Sequence, residues 1–215
     1  MIVPLLALFL QLTPPPPQMN WYWLDTFSTN DLSKKPGTGA AFLAASYYLT
    51  GAKPVESNPR VMPLKLPPKT FRMAVVRVNL YAAKFTPAQS EELARMIAEV
   101  PALTRTQALQ IDFDAPESAW PFYRALVGDV RQRVGPNVFF SITALASWCG
   151  AKSWMKDLPV DEIVPMFFRQ GRQRIEPPLA FPACQSSAGV SDDEPPVRLP
   201  ATIKRVYTFK TNRSR

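Results

Sequence analysis

The 215-residue chain has no histidine, only two cysteines and only eight glycines. The lack of histidine excludes Ser-His-Asp and Cys-His nucleophiles, zinc centres built on imidazole, and an imidazole proton shuttle. Two cysteines are too few for a structural zinc site or an iron–sulfur cluster. Acid–base chemistry must therefore come from carboxylates, lysine, tyrosine or cysteine, and we expect no metal site.

Glycine-rich phosphate-binding loops are also missing. The sequence contains neither G-x-G-x-x-G nor a Walker A loop, so it predicts no nucleotide cofactor, and we expect no other cofactor. It has no internal repeat. The 47% hydrophobic and 20% charged content is that of a globular protein, and the length suits one domain.

The net charge is +8, which could indicate an anionic partner such as nucleic acid. The basic residues are scattered, however, apart from a C-terminal group, and no base-stacking motif accompanies them. A soluble basic domain is therefore favoured over an anion or nucleic-acid binder, whose binding would fall steeply with salt. The C-terminal group comprises Lys204, Arg205, Lys210, Arg213 and Arg215.

Proline is abundant, with 24 residues, roughly twice the average usage. The prolines cluster at residues 14–17, 54–68 and 177–200. Because proline fixes the backbone and removes a hydrogen-bond donor, these clusters are typical of rigid connections between short strands.

Residues 2–12 form an apolar run that is too short to span a bilayer. The run has the length of a signal-peptide core but lacks a basic start and an A-x-A site. We interpret residues 1–18 as a signal-like or anchor segment with a proline-rich spacer, followed by one domain over 19–211 and a basic tail at 212–215. A buried first segment is the alternative. The protein is accordingly expected to be exported, periplasmic or membrane-tethered, with a cytoplasmic location as the alternative.

The two cysteines bear on the same question. Cys149 and Cys184 fit an exported protein if they pair, because disulfides persist in oxidising compartments. They fit equally well as two buried free thiols. The sequence leaves both states open.

The middle of the chain alternates strand-like and helix-like segments. Thr86, Pro87 and Gln89 form a capping-box pattern that predicts the start of a helix. Ser118 is expected to cap a second helix with apolar residues every four positions. The expected elements are a strand at 73–80, a helix at 86–100, a strand at 109–114, a helix from 118, a strand at 139–148, a short helix at 152–157 and a strand at 162–168. This order is typical of βαβ units in a parallel sheet.

Further strands are expected in the flanks, with no helices between the first two. These segments are 20–26, 41–49, 187–190 and 205–211, the third being very short. The total of about eight strands predicts an α/β fold, a small irregular TIM-type (β/α)8 barrel with several helices replaced by proline-rich loops. An open α/β sheet is the competing interpretation.

The strand at 109–114 alternates strictly. Gln110, Asp112 and Asp114 share one face, and apolar residues occupy the other. In a barrel the polar face points inward, and Asp114 comes at the carboxyl end, where barrel enzymes build their sites. The preceding strand ends with Arg77 and Asn79, also on one face.

Asp112 and Asp114 each have two interpretations. If the strands are neighbours, Arg77 pairs with Asp112 and the pair is structural. Alternatively, the two carboxylates belong to an active site, because Cα atoms two residues apart on a strand lie roughly 6.5 Å apart, within the range of glycosidase pairs. Structure is favoured for Asp112, and the two readings are balanced for Asp114.

Other residues are candidates on the same rim. Trp23 and Trp148 could stack on sugars, or fill the core. Asn79 and Arg169 could contact an acidic or hydroxylated ligand, although Arg169 could equally pair with a structural carboxylate. Glu194, within a short acidic run, is the candidate for a second catalytic carboxylate.

Four segments in combination resemble the bacterial family known as domain of unknown function 3142: residues 109–115, 141–149, 158–168 and 184–195. The resemblance implies a glycoside-hydrolase-like β/α barrel, usually exported, and does not imply an activity. A weaker similarity is to chitinase-type barrels, whose fourth strand carries a D-x-D-x-E motif. Asp112 and Asp114 match its aspartates, but Pro116 occupies the position of the proton-donating glutamate and Glu117 comes one residue late.

We therefore expect an exported bacterial barrel that binds carbohydrate, or hydrolyses it in the manner of a glycoside hydrolase with carboxylates at the carboxyl-end rim. The alternative is a non-catalytic binding or scaffold barrel. A carbohydrate is the expected ligand, and membrane contact is expected only through the N-terminal segment if that segment stays uncleaved.

Overall fold

The fold was analysed in a computed structural model, which describes residues 14–22, 37–51, 54–64, 66–81, 86–172 and 174–210. The apolar run at 2–12, Trp23 and the tail at 212–215 lie outside the described residues. The expectations attached to them stay predictions.

The core of the fold is a closed barrel of parallel strands. Within the described residues, the strands in chain order are β1 (Gln18–Tyr22), β2 (Thr38–Leu49), β3 (Glu56–Pro59), β4 (Phe71–Leu80), β5 (Ala108–Asp112), β6 (Phe139–Leu145), β7 (Glu162–Met166), β8 (Ser187–Ser191) and β9 (Arg205–Phe209). Hydrogen bonding runs in the order β1-β9-β8-β7-β6-β5-β4-β2, and β1 pairs with β2 to close the ring. The predicted eight-stranded barrel is confirmed, and the open sheet is excluded because no free edge remains between β1 and β2.

Strand β3 is an addition that the sequence did not predict, because it lies in a proline-rich segment interpreted as a connection. It pairs antiparallel with the second half of β2, with Ala45 opposite Pro59 and Tyr48 opposite Glu56. Strand β1 pairs with β2 only as far as Phe42. The twelve-residue β2 would otherwise leave unpaired backbone groups beyond that point, and β3 covers them.

Two helices pack on the outside of the described barrel, α1 (Pro87–Thr104) and α2 (Trp120–Val134). The capping box is confirmed: the backbone N–H of Gln89 donates to Thr86 Oγ1 at 3.2 Å, and the Thr86 N–H donates to Gln89 Oε1 at 2.8 Å. In the parts of the chain that the structure describes, neither helix is long and apolar enough to cross a membrane.

Three helix predictions were wrong in detail. Ser118 does not cap α2, because Glu117–Ala119 forms a 3₁₀ helix and Ala119 precedes α2 without a side-chain cap. The helix expected at 152–157 is a series of turns instead. Also, α1 continues four residues past its expected end, through Pro101. Within the described ranges, α-helices follow only β4 and β5, and loops connect the other barrel strands.

Apolar side chains form two layers, one inside the barrel and one between the barrel and the helices. In the interior, the Trp21 ring stacks on Phe209 with centroids 4.4 Å apart. Leu109, Ile111 and Phe113 face outward and pack in the layer beneath the helices, as strand alternation predicts. The interior layer contains Met19, Trp21, Ala41, Leu43, Met73, Val75, Ala108, Val164, Met166, Tyr207 and Phe209.

The two cysteines form a disulfide. Cys149 ends the 3₁₀ helix Ala146–Cys149 after β6, and Cys184 ends the 3₁₀ helix Pro182–Cys184 before β8. The bond spans 35 residues and joins two loops that carry no α-helix. In the chain-entropy description, closing a loop of this size stabilises the fold by about 4 kcal/mol.

A buried carboxylate joins four strands in the amino-terminal half of the barrel. Glu162 on β7 accepts hydrogen bonds from Ser141 on β6 at 3.0 Å and Ser187 on β8 at 2.5 Å. From β9, it accepts one from Arg205 at 2.5 Å and one from the Tyr207 hydroxyl at 2.5 Å. Burial and the adjacent Glu162 raise the pKa of Tyr207 well above its ordinary value, so the hydroxyl remains a donor.

Replacing Glu162 by glutamine tests this network. We expect Glu162→Gln to lower the free energy of unfolding by about 3 kcal/mol, because the Arg205 guanidinium, whose side chain is 17% exposed, loses its counter-charge. Urea denaturation measures the change. The matched control is Glu99→Gln, which breaks an exposed pair with Arg95 on α1 and should cost at most about 0.5 kcal/mol. Equal losses in the two variants would contradict the assignment.

Candidate functional site

The parallel strands place all their carboxyl ends at one rim of the barrel. Asp112 is the last residue of β5, and its register partner on β4 is Arg77. The expected neighbourhood of Arg77 and Asp112 is therefore confirmed. Polar groups from β4, β5 and β6 meet at this point of the rim.

Both carboxylate oxygens of Asp112 accept hydrogen bonds from neighbouring side chains. Its carboxylate is 2% exposed and accepts a hydrogen bond from Arg77 Nε at 2.7 Å and a second from a terminal N–H of Arg77. The Thr143 hydroxyl donates to the other carboxylate oxygen at 2.8 Å. A buried charge compensated in this way fits the structural interpretation of Asp112 better than the catalytic one.

Asp114 lies two residues beyond Asp112, after β5 has ended. Its side chain reaches solvent, and no hydrogen bond or ion pair holds its carboxylate within the described part of the chain. The residues around Asp114 nevertheless exclude part of the water that would hydrate its carboxylate. This partial burial raises the pKa of Asp114, the nearby Asp112 charge raises it further, and Arg77 opposes both effects. Asp114 therefore retains its proton to a higher pH than an ordinary aspartate.

Asp112 and Asp114 open onto a cleft of about 240 Å³ at the ends of β4 and β5. Asn79 also faces the cleft and donates from its side-chain amide to the Tyr47 carbonyl at 3.3 Å. The volume is below that of pockets that enclose a drug-sized ligand, so the cleft suits one unit of a longer ligand. The lining residues are Arg77, Val78, Asn79, Leu80, Tyr81, Asp112, Phe113, Asp114 and Pro116.

Glu194 and Arg169 meet elsewhere on the rim. The Arg169 backbone N–H donates to Glu194 Oε1 at 2.8 Å, which joins the loops after β7 and β8. Arg169 has a left-handed backbone with φ of 52° and lines a second rim cleft of about 260 Å³. The structure brings these two candidates together, but neither of them lines the cleft that holds Asp114.

Trp148 is 7% exposed and belongs to an aromatic cluster. Its ring lies edge-on to Trp154 at 5.4 Å and to Trp120 at 6.4 Å between centroids. This packing favours the core-filling interpretation of Trp148. Its role in ligand binding stays a prediction, and so does that of Trp23.

Sequence reasoning missed two residues of this site. Thr143, which bonds Asp112, shares a strand face with Ser141, and only the strand register brings it to the aspartate. Tyr81 follows β4 directly and lines the cleft with its side chain 71% exposed. An aromatic residue at the carboxyl end of a predicted barrel strand was the available signal for Tyr81.

The cleft therefore combines a charge-compensated carboxylate, a carboxyl group with a raised pKa, an amide and an aromatic residue. Across the described ranges, no three Asp, Glu, Cys or His side chains converge as metal ligands. The arrangement can hydrogen-bond a hydroxylated ligand and donate a proton to it from Asp114.

Solved structures with a similar fold are β/α barrels. The spore cortex-lytic enzyme SleL of Bacillus cereus matches with a TM-score of 0.52 and 13% identity, over 85% of this chain and 54% of that chain. The chitinase domain of the spore coat protein CotE from Clostridium difficile matches with a TM-score of 0.48 and 10% identity, over 85% of this chain and 61% of that chain. This chain therefore spans just over half of the length of each.

The similarity to SleL agrees with the strand topology, and the fold is that of a TIM-type α/β barrel with few helices. No family model matches the chain, and no curated protein matches it. At these identities the likeness concerns the fold.

The raised pKa of Asp114 predicts a pH-dependent stability. Folding favours the protonated form, so the contribution of Asp114 is fully present below its ordinary pKa of 3.8 and is lost as the pH rises through the raised value. Asp114→Asn should therefore unfold at a higher urea concentration than the wild type at pH 7, and this advantage should shrink as the pH falls towards 3.8.

The matched control for this prediction is Asp129→Asn, at an exposed position on α2. A surface change of this kind alters stability by less than about 0.5 kcal/mol and should show no such trend with pH. An Asp114→Asn variant that is less stable than the wild type at pH 7 would contradict the assigned direction of the shift.

Proposed function

We propose that the protein is an exported carbohydrate-binding barrel whose cleft at the ends of β4 and β5 holds a glycan beside Asp114. One observation carries the proposal: Asp114 is a carboxylate with no partner among the described residues, with a raised pKa, in an open cleft at the carboxyl-end rim. Hydroxylated ligands suit such a cleft, since Asp114 and Asn79 can both hydrogen-bond to sugar hydroxyls.

Hydrolysis in this cleft would use Asp114 as general acid. The Asp114 proton would pass to the glycosidic oxygen as the bond from that oxygen to the anomeric carbon breaks. Water would then add to the anomeric carbon and give its proton to the Asp114 carboxylate, which restores the acid. Glycosidases normally supply a second carboxylate on the opposite side. Among the described lining residues the other carboxylate is Asp112. Because Asp112 is bound to Arg77 and Thr143, its role would be to hold a negative charge beside Asp114.

A non-catalytic binding or scaffold barrel is the second candidate. It is favoured by the same commitment of Asp112 to Arg77 and Thr143. It is also favoured by Pro116, which lines the cleft where the chitinase-type motif carries its proton-donating glutamate. The two candidates share a glycan ligand and differ in turnover.

We also propose that the protein is exported and that it belongs to a family of similar barrels. The Cys149–Cys184 disulfide supports an exported protein, because such bonds persist outside the reducing cytosol. The segments 109–115, 141–149, 158–168 and 184–195 support membership of the family known as domain of unknown function 3142. The similar barrel of a spore cortex-lytic enzyme makes spore-cortex material a ligand to include in a screen.

A glycan array, followed by hydrolysis assays on the glycans that bind, tests the proposal. We expect the wild type to bind at least one glycan and Asp114→Asn to bind it more weakly. If the protein is an enzyme, Asp114→Asn should also lower turnover by about 10²- to 10⁴-fold, the usual contribution of a general acid.

The Asp129→Asn variant again serves as the control and should behave like the wild type. Binding that depends on Asp114 without any turnover would favour the scaffold candidate. Glycan binding and hydrolysis that are both unchanged in Asp114→Asn would overturn the proposal. Because this variant is expected to be more stable than the wild type at neutral pH, unfolding would not account for a loss.

A further inference from the structure

Tyr81 is unusual among the aromatic residues of the described chain. Its side chain is 71% exposed, whereas the other described aromatic side chains are buried or half-buried. A single exposed apolar residue is common on protein surfaces. Tyr81, however, lines the same cleft as Asp114 and Asn79, whose polar groups have the chemistry of a ligand site.

One backbone contact and one ring contact position Tyr81. Its backbone N–H donates to the Leu49 carbonyl at 2.9 Å, which extends the pairing of β2 and β4 by one residue. Its ring stacks against Tyr48 on β2, with centroids 6.0 Å apart and planes 17° from parallel. A ring that already stacks on a neighbour loses less conformational freedom on binding a ligand than a ring without such a contact.

An exposed aromatic face next to hydrogen-bonding groups matches a pyranose ring. In gluco-configured units the ring substituents are equatorial, so C–H groups cover both faces and hydroxyls project from the edge. The apolar face can stack on Tyr81, and edge hydroxyls can then reach Asn79 and Asp114. Chains linked β-1,4 keep successive units in one flat ribbon, whereas α-1,4-linked chains curve away from a flat platform.

We infer that Tyr81, supported by Tyr48, is a stacking platform for the unit of a β-1,4-linked, gluco-configured glycan whose edge hydroxyls contact Asp114. This inference rests on the proposed function and adds to it the substrate class and the residue that selects it. Tyr81 acts by binding, and Asp114 by hydrogen bonding and proton donation.

Isothermal titration calorimetry with cellohexaose, chitohexaose and maltohexaose tests the platform. We expect the wild type to bind at least one of the two β-1,4-linked hexaoses more tightly than the α-1,4-linked maltohexaose. Tyr81→Ala should weaken that binding about tenfold, the upper range for one aromatic stacking contact. Tyr81→Phe, which keeps the ring, should bind within about twofold of the wild type.

The matched control is Leu103→Ala, which removes another exposed apolar side chain, 78% exposed, from the end of α1. It should leave binding unchanged. Wild-type binding of a β-1,4-linked hexaose that survives unaltered in Tyr81→Ala, or a preference for maltohexaose, overturns the inference while leaving the proposed function intact. A wild-type protein that binds no glycan on the array overturns the proposed function and the inference together.

Discussion

The barrel depends on how it neutralises charge in its interior. Glu162 accepts hydrogen bonds from strands on both sides of β7 and holds β6, β8 and β9 in register, with Arg205 as its counter-charge. A buried carboxylate without these donors would cost several kcal/mol, so the network constrains which side chains the four strands can place inward. Arg205 also donates to the carbonyls of Pro15 and Pro16, which ties the chain before β1 to the same network. Because this network stabilises the amino-terminal half of the barrel, the side chains at the opposite rim can form a ligand site.

At the carboxyl-end rim, two neighbouring carboxylates differ in whether hydrogen-bond donors compensate their charge. Asp112 and Asp114 share the alternation of one strand, yet β5 ends at Asp112. Register with β4 and β6 supplies Asp112 with Arg77 and Thr143, whereas Asp114 lies past the last paired residue and receives no such donors among the described residues. Partial burial raises the pKa of Asp114 most, and the neighbouring charge of Asp112 raises it further. The charge of the structural carboxylate Asp112 thus contributes to the raised pKa of Asp114. The two aspartates differ because β5 stops pairing at Asp112.

Local patterns predicted most of the fold. Short strand-like runs located the barrel strands, and the capping box located α1, because both signals arise from residues close together in sequence. Strand β3 was not predicted, because it forms by pairing with the otherwise unpaired half of β2. This tertiary cause outweighs its proline content. The site was partly predictable: Asp112, Asp114 and Arg77 lie on predicted strand faces. The Glu162 network was not, since its donors come from strands up to 45 residues away and only the closed barrel brings them together.

The central claim is that Asp114 has a pKa above that of an ordinary aspartate and lies in the cleft proposed to bind a glycan. The direct measurement is a ¹³C NMR titration of the Asp114 carboxyl, assigned by its disappearance in Asp114→Asn, with and without the glycan that binds best. The account predicts a midpoint above the ordinary value of 3.8 and a shift of that midpoint when the glycan is added. A midpoint at or below 3.8 that does not respond to the glycan would contradict the account.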